Sequence, residues 1–427
     1  MMVQETETGA AVLAAGFGER MRDCGRPKPL VRVGGLTLLE RTVRTLRAGG
    51  LEGPVVVVVG YRAEEVSRFC EERDLAVRVV ENPDYPRGNG TSVLAAIDHL
   101  PERFVVSMVD HVHSPEAVRR LLVQRGEFVA AVDSRPLFAD PAEATRVRLR
   151  GGGVVDFGKG LTPYDALDAG LFLCSRSVLQ KLSGEEDGPL SWNELKRRWL
   201  AQGGRIEAVD LDGAPWTDVD TPADIERALE AILSWAASGN DGFVSRHFNR
   251  RLSRRVTRRL LGTPVAPDHV SLASFALAAA GAFSILRGRM RLGGALVQLS
   301  SVVDGCDGEL ARARLESSPR GGVLDAVLDR WSDALVISAL AARRRSAQIL
   351  GYPALAGALL VPYTRARWEA TIGKIPRSFT GLGATRDVRL AILALGALLG
   401  RPAPALGAVA LLSNVEVVRR LAGLPGF

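Results

Sequence analysis

Two hydrophobic patterns divide the chain near residue 240. Before this point, short apolar runs at 10–15, 54–59, 77–80, 104–109 and 128–132 alternate with segments of helical periodicity. Short continuous apolar runs are typical of buried strands, and their alternation with helices predicts a doubly wound, Rossmann-like α/β domain. After this point, the apolar runs become longer and follow the pattern of helices alone.

The long apolar runs of the second half are typical of a membrane domain. Residues 270–286 and 346–364 carry no charge over 17 and 19 positions, and apolar segments also cover 292–303, 321–342 and 390–415. The last segment is broken at Arg401-Pro402, so the set predicts six membrane-spanning helices in an all-α domain. A soluble bundle of buried helices would account for the shorter runs, but the two long runs and their basic flanks favour the membrane.

Charge changes at the same place in the chain. Residues 1–240 contain 29 basic and 36 acidic side chains, whereas residues 241–427 contain 26 basic and 12 acidic ones. Two halves that differ this much are expected to be separate domains. We place the first domain at residues 1–237, a linker with a basic helix at 238–262, and the membrane domain at 263–427.

The basic segment before the first span predicts how the chain meets the membrane. Residues 243–261 contain seven arginines interleaved with Phe248, Leu252, Val256 and Leu260. This spacing predicts an amphipathic helix on an anionic cytoplasmic leaflet. Such a helix could instead bind nucleic acid, but it has no reading motif and leads directly into an apolar span. We therefore expect a lipid bilayer as partner, no nucleic acid, and a multi-pass cell-membrane protein whose N-terminal domain and both active sites are cytoplasmic.

Composition excludes several other classes of protein. A hydrophobic fraction of 47% is too high for a disordered chain, and four cysteines without CxxC pairs predict neither a disulfide scaffold nor a zinc module. The N-terminal residues lack the basic and apolar regions of a signal peptide, so we expect synthesis and catalysis in the cytoplasm.

Two acidic stripes lie in the second and third predicted spans. Each combines carboxylates with small residues at helical spacing: Asp304, Asp307, Gly308, Ala311 and Arg312 on one helix, and Gly321, Asp325 and Asp329 on the next. Charged groups at membrane depth are costly and indicate a functional site. If the stripes face each other, four carboxylates converge, and such an all-oxygen ligand set suits Mg²⁺ or Mn²⁺. Structural Asp–Arg pairs are the simpler alternative, but they do not explain two stripes in register.

This acidic pattern resembles the signature of the CDP-alcohol phosphotransferase family. The matching residues are Asp304-x-x-Asp307-Gly308-x-x-Ala311-Arg312, then eight residues, then Gly321-x-x-x-Asp325-x-x-x-Asp329, and the resemblance covers about 243–427. It implies a six-helix fold and a two-metal site held by the four aspartates. It also implies that Gly308, Ala311 and Arg312 contact the CDP moiety and that Asp329 is the base that accepts the hydroxyl proton.

Other charged residues lie near this motif. Asp333 continues the second stripe, and we interpret it as a polar neighbour rather than a ligand. A basic group follows the fourth span and would either be a solvated cytoplasmic loop or hold the phosphate of an anionic acceptor: Arg365, Arg367, Lys374, Arg377 and Arg386.

A glycine-rich motif follows the first predicted strand. The sequence Leu13-Ala-Ala-Gly16-Phe-Gly18-Glu-Arg20 leads into Pro27-Lys28-Pro-Leu30. Glycines let the backbone approach a triphosphate, while Arg20 and Lys28 can neutralise the charge that develops at its α-phosphate.

Carboxylates at strand ends complete the predicted site. Asp110 follows the strand at 104–109, and Asp218 and Asp220 occur about a hundred residues later. Ligands of such sheets bind beyond the carboxyl ends of strands, so Asp110 with Asp218 or Asp220 could hold Mg²⁺ against a triphosphate. A single capping aspartate is common, but the accompanying glycine loop and lysine favour the metal-binding interpretation.

The first half is similar to the sugar-phosphate nucleotidyltransferases over about 8–235, and most of all to the CTP:inositol-1-phosphate cytidylyltransferases. Besides the two motifs above, Asn82-Pro83, Gly88-Asn-Gly-Thr-Ser92 and Asp110-His111 carry the resemblance. It implies phosphate contact by Lys159 and acceptor contacts near Asp168 and Gly170. It also implies nucleotide binding by Leu13, Ala14, Ala15, Gly16, Gly18, Gly88, Asn89, Gly90, Thr91 and Ser92.

The pairing of these halves resembles the bifunctional inositol-1-phosphate cytidylyltransferase and di-myo-inositol-phosphate-phosphate synthase family. The resemblance implies that the chain makes CDP-inositol from CTP and inositol-1-phosphate, then transfers phosphoinositol to a second inositol-1-phosphate, yielding the precursor of a compatible solute. It further implies a homodimer through the membrane domain. Two alternatives remain open: a phosphotransferase that uses a lipid substrate, and a membrane-tethered scaffold with inactive sites.

Overall fold

The computed structural model divides the chain into two compact units, Met1–Trp235 and Ala236–Phe427. It describes residues 7–184, 188–237, 249–373 and 384–423. Part of the predicted linker, residues 238–248 with Phe248, therefore lies outside the described residues.

The first unit contains a nine-stranded sheet with the order β5-β4-β1-β6-β11-β8-β12-β10-β9, and two small two-stranded pairings, β2–β3 and β7–β13. The strands are β1 Gly9–Leu13, β2 Arg32–Val33, β3 Leu36–Thr37, β4 Val55–Val59, β5 Arg78–Glu81, β6 Arg103–Met108, β7 His111–His113, β8 Phe128–Asp133, β9 Arg146–Arg150, β10 Gly153–Gly158, β11 Ala166–Ser175, β12 Ile206–Asp210 and β13 Trp216–Asp218.

Helices accompany this sheet, and each sheet face has its own apolar core. The helices are α1 Leu38–Ala48, α2 Ala63–Glu72, α3 Asn89–Ala96, α4 Pro115–Leu122, α5 Arg176–Leu182, α6 Trp192–Ala201 and α7 Asp224–Ala236. One core contains residues of α1, α2 and α4, and the other contains residues of α3, α5 and α6. The central strands β1 and β4 are buried along their whole length, which explains their continuous apolar sequences.

Side-chain hydrogen bonds mark where three helices of this unit begin. The Thr37 side chain accepts a hydrogen bond from the Glu40 N–H at the start of α1, and Ser191 accepts one from the Glu194 N–H at the start of α6. These side chains satisfy backbone donors that have no partner within the helix. At α7, the Asp224 carboxylate accepts the Thr221 N–H at 2.7 Å and so caps the start of the helix.

The sheet is mixed rather than wholly parallel. Strands β5, β4, β1 and β6 are parallel, as the alternating sequence pattern predicts, but β11 runs antiparallel to both β6 and β8. The reversal follows from the β9–β10 hairpin, because β11 continues from it and pairs antiparallel with β9 as well. The apolar run of β11 reveals its burial but not its direction.

In the second unit, helices are the regular secondary structure of the described residues. Its helices are α8 Arg250–Leu261, α9 Pro267–Leu286, α10 Met290–Ala313, α11 Pro319–Ala341, α12 Arg345–Thr371, α13 Arg386–Leu398 and α14 Pro402–Ala422. Helices α9 to α14 coincide with the six apolar segments of the sequence, and α13 and α14 are separated at Arg401-Pro402. By length and hydropathy, only α9 among the described residues qualifies as a membrane span.

Close helix packing in this unit depends on glycine. A Cβ atom on Gly293 of α10 would lie 2.7 Å from the Gly281 carbonyl oxygen of α9, and one on Gly281 would lie 2.9 Å from Val297 Cγ2. These distances are shorter than van der Waals contact, so α9 and α10 can approach this closely only without side chains at the crossing.

Helix α8 packs on the protein through a face other than its apolar stripe, which the sequence predicts to lie on the membrane surface. Ser253, Thr257 and Leu261 are the buried residues, whereas Leu252 of the predicted apolar stripe is 45% exposed. The reason is Glu309 of α10, whose carboxylate accepts hydrogen bonds from Ser253 at 3.0 Å and Thr257 at 2.9 Å. Polar contacts, rather than apolar spacing, therefore select the face of α8 that packs on α10.

Candidate functional sites

A pocket lies at the carboxyl ends of β1 and β6 in the first unit. It has a volume of about 200 Å³. All five predicted nucleotide-binding residues of the first motif line it: Leu13, Ala14, Ala15, Gly16 and Gly18. The predicted catalytic lysine and metal-binding aspartate, Lys28 and Asp110, line it as well. The other lining residues are Pro29, Tyr85, Asn89, Ser92, Met108 and Val109.

The second predicted nucleotide-binding segment, residues 88–92, reaches the pocket at Asn89 and Ser92. Gly88 precedes α3, Gly90 donates its N–H to the Leu190 carbonyl at 3.0 Å, and the Thr91 hydroxyl accepts from Asn82 at 2.9 Å. Leu190, just before α6, therefore packs against the segment that carries Asn89 and Ser92. Glycine at 88 and 90 allows this backbone contact.

Lys28 is the electrostatic centre of the pocket. Its ammonium group lies 2.6 Å from both Asp110 Oδ2 and Asp220 Oδ1, and only 11% of its side chain is exposed. Burial disfavours both charged forms, but Asp110 and Asp220 together raise the pKa of Lys28, and Lys28 with His111 lowers the pKa of Asp110. The geometry places two carboxylates against one cation at the mouth of the glycine loop.

Arg20 extends this charged network towards solvent. It lies 2.5 Å from Asp220 Oδ2 and 2.8 Å from Glu143 Oε2, and half of its side chain is exposed. The hydrogen bond that Arg20 donates to Glu143 and the negative charge of Asp220 raise the pKa of Arg20. Sequence reasoning did not identify Glu143, because an acidic residue in a loop has no distinguishing pattern.

Asp110 and Asp220 fit a divalent cation better than Asp218 does. One oxygen of each carboxylate lies 2.6 Å from the same ammonium group, so the two are close enough to share a cation. Carboxylate oxygens are suitable ligands for a divalent metal ion. Asp218 instead forms an ion pair with Arg227 at 3.5 Å. In the β7–β13 pairing, Asp218 lies opposite His111. His111 donates to Asp110 Oδ1 at 2.8 Å and orients that carboxylate.

The three predicted acceptor residues have different environments. Lys159 is exposed just after β10, whereas Asp168 is buried in β11. Both Asp168 oxygens are occupied, one by the Gly170 N–H at 2.9 Å and the other by Lys196 Nζ at 2.6 Å. Gly170 packs against the ring of His111. Sequence reasoning missed Lys196, although it occupies an apolar-stripe position of α6 together with Trp192, Leu195 and Trp199.

The second unit contains a carboxylate cluster on the predicted stripes of α10 and α11. Oxygens of Asp304, Asp325 and Asp329 lie within 4.8 Å of one another, and this is the metal-sized cluster found among the described residues. Three converging carboxylates fit a hard divalent cation. Asp307, the fourth predicted ligand, directs Oδ2 to the Ser271 hydroxyl and Oδ1 to the Gly308 N–H, both at 2.5 Å.

Arg386 of α13 completes this cluster. Its guanidinium group pairs with Asp304 and lies 2.7 Å from Asp329 Oδ1 and 3.7 Å from Asp333 Oδ1. Asp333 is buried and also accepts from Arg389 at 3.0 Å. Asp333 is therefore a neighbour of the acidic cluster, to which the shared partner Arg386 connects it. The sequence identified Arg386 only as one cation of a group, since its distance along the chain conceals the contact.

The remaining predicted residues of this unit fall into three groups. Gly308, Ala311 and Arg312 are half-buried on α10 within two turns of the carboxylate cluster. Arg365 pairs with Glu369 at 2.9 Å on α12, and Arg367 is exposed on the same helix. Lys374 and Arg377 lie outside the described residues.

Known protein families and curated relatives match both halves of the chain. Residues 10–151 match the family model of the MobA-like NTP transferase domain, and residues 264–417 match that of the CDP-alcohol phosphatidyltransferases. A bifunctional IPC transferase and DIPP synthase of Rubrobacter xylanophilus is 72% identical over 97% of this chain and 96% of its own length. Another from Archaeoglobus fulgidus is 36% identical over 86% of this chain and 72% of its length.

A solved structure is also similar to the first unit. It is the inositol-1-phosphate CTP transferase from T. maritima, with 26% sequence identity, a TM-score of 0.48, and coverage of 54% of this chain and 98% of that chain.

Proposed function

The chain belongs to the family of bifunctional IPC transferases and DIPP synthases, and from this premise we propose how its two sites divide the chemistry. The first unit forms CDP-inositol from CTP and inositol-1-phosphate. The second transfers phosphoinositol from CDP-inositol to another inositol-1-phosphate and releases CMP. The observation that carries the proposal is the 72% identity over nearly the whole of both chains.

In the first step, a phosphate oxygen of inositol-1-phosphate attacks the α-phosphorus of CTP. The bond from this phosphorus to the bridging oxygen breaks, and pyrophosphate leaves with that oxygen. The nucleophile is already anionic, so no general base is required. Lys28 and Arg20, at the mouth of the glycine loop, offset the negative charge that develops around the α-phosphorus. Residues 13–18 and 88–92 hold the nucleotide.

In the second step, a hydroxyl of inositol-1-phosphate attacks the β-phosphorus of CDP-inositol, and CMP leaves. This hydroxyl must lose its proton, and we assign Asp329 as the carboxylate that accepts it. Gly308, Ala311 and Arg312 receive the CDP moiety, while Arg365, Arg367, Lys374 and Arg377 form the candidate contacts to the acceptor phosphate.

Divalent cations have candidate sites in both units. In the first unit Asp110 and Asp220, with Asp218 as a further candidate, would hold one, and in the second Asp304, Asp307, Asp325 and Asp329 would do so. We propose Mg²⁺, with Mn²⁺ as a substitute. Bound there, the cation offsets the phosphate charge and supports departure of the leaving group.

The membrane arrangement belongs to the same proposal. Helices α9 to α14 span the bilayer, with the N-terminal domain, the basic helix and both sites on the cytoplasmic side. Helix α9 has 20 residues, which corresponds to the thickness of the hydrocarbon core. We retain the domain limits 1–237, 238–262 and 263–427, and a homodimer formed through the membrane domain.

Separate assays of the two steps test this proposal. The detergent-solubilised protein should release pyrophosphate from CTP only when inositol-1-phosphate is present. It should release CMP from CDP-inositol only with inositol-1-phosphate as the second substrate. Chelation of divalent cations should stop both reactions. Transfer to or from a CDP-lipid, with no water-soluble phosphodiester formed, would contradict the second assignment.

A further inference from the structure

Lys196 is a buried cation beneath the acceptor side of the first site. It lies on α6, only 3% of its side chain is exposed, and its ammonium group is 2.6 Å from Asp168 Oδ2. Lysine is almost never fully buried unless it is paired. A surface-stabilising role does not explain its position, because neither partner of this ion pair is at the surface.

Aromatic rings enclose the same ammonium group. Lys196 Nζ lies 4.4 Å from the ring centre of Phe157 and 4.7 Å from that of Phe172. The neighbouring Arg197 donates to the Phe157 carbonyl at 3.3 Å. Helix α6 therefore holds the end of β10, two residues before Lys159, the predicted phosphate contact.

The segment 168–170, here called the acceptor segment, is held from several sides. Asp168 Oδ1 accepts the Gly170 N–H at 2.9 Å, and the Ala169 carbonyl accepts from His113 Nε2 at 2.7 Å. The register of β11 against β8 shifts between Asp168 and Phe172, and Gly170 has a φ of +67°. This irregular backbone packs on His111, which orients Asp110. Lys196 fixes the Asp168 end of this segment.

A buried ion pair of this kind is better suited to fixing geometry than to adding stability. Desolvation of two charges offsets much of their attraction, whereas removing one partner leaves the other charge buried alone. Binding sites need side chains whose positions are locked by a supporting layer of contacts. Lys196 contacts both Asp168 and Phe157, and so supports both chain segments predicted to receive the acceptor.

We propose that Lys196 is a positioning residue for inositol-1-phosphate in the cytidylyl-transfer step. Through Asp168 it sets the acceptor segment, and through Phe157 it sets the strand end that presents Lys159. This inference rests on the proposed function of the first unit. It assigns to Asp168 a role in shaping the site, because both of its oxygens are already engaged within the protein.

The test is a comparison of Lys196→Met with Lys181→Met in the full-length, detergent-solubilised protein. Lys181 is an exposed lysine of the adjacent helix α5 that also lies near an aromatic ring, Trp199. In Lys196→Met, the KM for inositol-1-phosphate should rise about tenfold or more, while the KM for CTP changes by less than about twofold. Lys181→Met should change neither value.

A double variant separates positioning from loss of folding. Lys196→Met combined with Asp168→Asn removes both buried charges, and the amide oxygen can still accept the Gly170 N–H. Because Lys196 and Asp168 act on the acceptor segment as one pair, the double variant should raise the KM for inositol-1-phosphate no more than Lys196→Met alone. Transfer from supplied CDP-inositol should be unaffected in every variant.

Several results would overturn the inference. One is a wild-type KM for inositol-1-phosphate in a folded Lys196→Met protein, and another is an equal rise in the KM for CTP. A third is failure of the first unit to fold in both the single and double variants, since the pair would then be structural. Absence of pyrophosphate release in the wild-type protein would instead overturn the proposed function itself.

Discussion

At the residue scale, one lysine and two carboxylates account for most of the charge interactions of the first site. Lys28 pairs with both Asp110 and Asp220, and these are also the carboxylates that fit a divalent cation. Binding of a cation and a triphosphate would therefore release the lysine from its carboxylate partners towards phosphate. A single side chain thus links the two candidate metal ligands to the glycine loop.

Removing this ammonium group should affect only the first step. We expect Lys28→Met to lower the rate of cytidylyl transfer by about a hundredfold or more, because the transition-state charge at the α-phosphate loses a preorganised cation. The same preparation should form the phosphodiester from supplied CDP-inositol at the wild-type rate. Pyrophosphate release and CMP release, measured in parallel, check this. Equal loss of both activities would indicate general damage instead.

The buried His113 predicts acid sensitivity of the first unit. Burial and the neighbouring His111 lower the pKa of His113 from 6.5 to about 4, while its Nε2 donates to the Ala169 carbonyl. The unfolded chain therefore takes up this proton first as the pH falls below about 6.5, and the folded state loses on the order of 3 kcal/mol by about pH 4. His111, Asp110 and Asp168 are the titratable groups that influence this ring.

A glutamine at this position tests that pH dependence. His113→Gln retains an N–H donor but cannot gain a proton, so its stability should decline less between about pH 7.5 and pH 5. The measurement is the temperature at which half of the cytidylyltransferase activity survives heating at each pH, assayed after return to neutral pH. His99→Gln serves as a control for removal of a histidine elsewhere in the unit. Parallel declines in wild type and His113→Gln would refute the account.

At the element scale, periodicity predicted the elements well and their long-range contacts poorly. The runs at 54–59 and 128–132 became β4 and β8, and Arg401-Pro402 separates α13 from α14. Helical spacing also predicted that Asp304 would lie close to Asp325 and Asp329, as it does in the structure. The antiparallel direction of β11 and the docked face of α8 were not predictable in this way. Both depend on partners distant in sequence, a hairpin for β11 and Glu309 for α8.

The two sites show the same limit. Residues in short motifs, such as Gly16 and Lys28, share a pocket as predicted. Arg386 instead reaches Asp304 across 82 positions of sequence, and Lys196 reaches Asp168 across 28. Such pairs have no local pattern, since only the fold brings them together. An apolar-stripe position occupied by lysine was the one sequence signal for Lys196.

Packing of α9 on α10 provides a test at this scale. Gly293→Ala places a methyl group too close to the Gly281 carbonyl, so the helices must separate, at a cost of about 1–3 kcal/mol. Gly305→Ala on the same helix is the matched control, since a Cβ there meets nothing within 4 Å. Thermal loss of phosphodiester formation, relative to each variant's own initial activity, should occur at lower temperature only in Gly293→Ala. Equal midpoints would contradict the close-contact interpretation.

At the scale of the whole molecule, the two units have complementary chemistry. The product of the first, a CDP-activated alcohol, is the substrate class of the second, and the family relationship extends over both. The charge difference between the halves, acidic before residue 240 and basic after it, is consistent with a second half that belongs to a membrane-associated family. Each unit has its own carboxylate residues, so each activity should be removable separately.

Phosphorus NMR of the detergent-solubilised protein with Mg²⁺, CTP and inositol-1-phosphate tests this most directly. The wild-type protein should produce pyrophosphate, CMP and a phosphodiester. Asp304→Ala should accumulate CDP-inositol and pyrophosphate without the diester, while Asp110→Ala should consume nothing until CDP-inositol is supplied. Diester formation by Asp304→Ala at the wild-type rate, or CDP-inositol formation by Asp110→Ala, would contradict the assignment of one reaction to each unit.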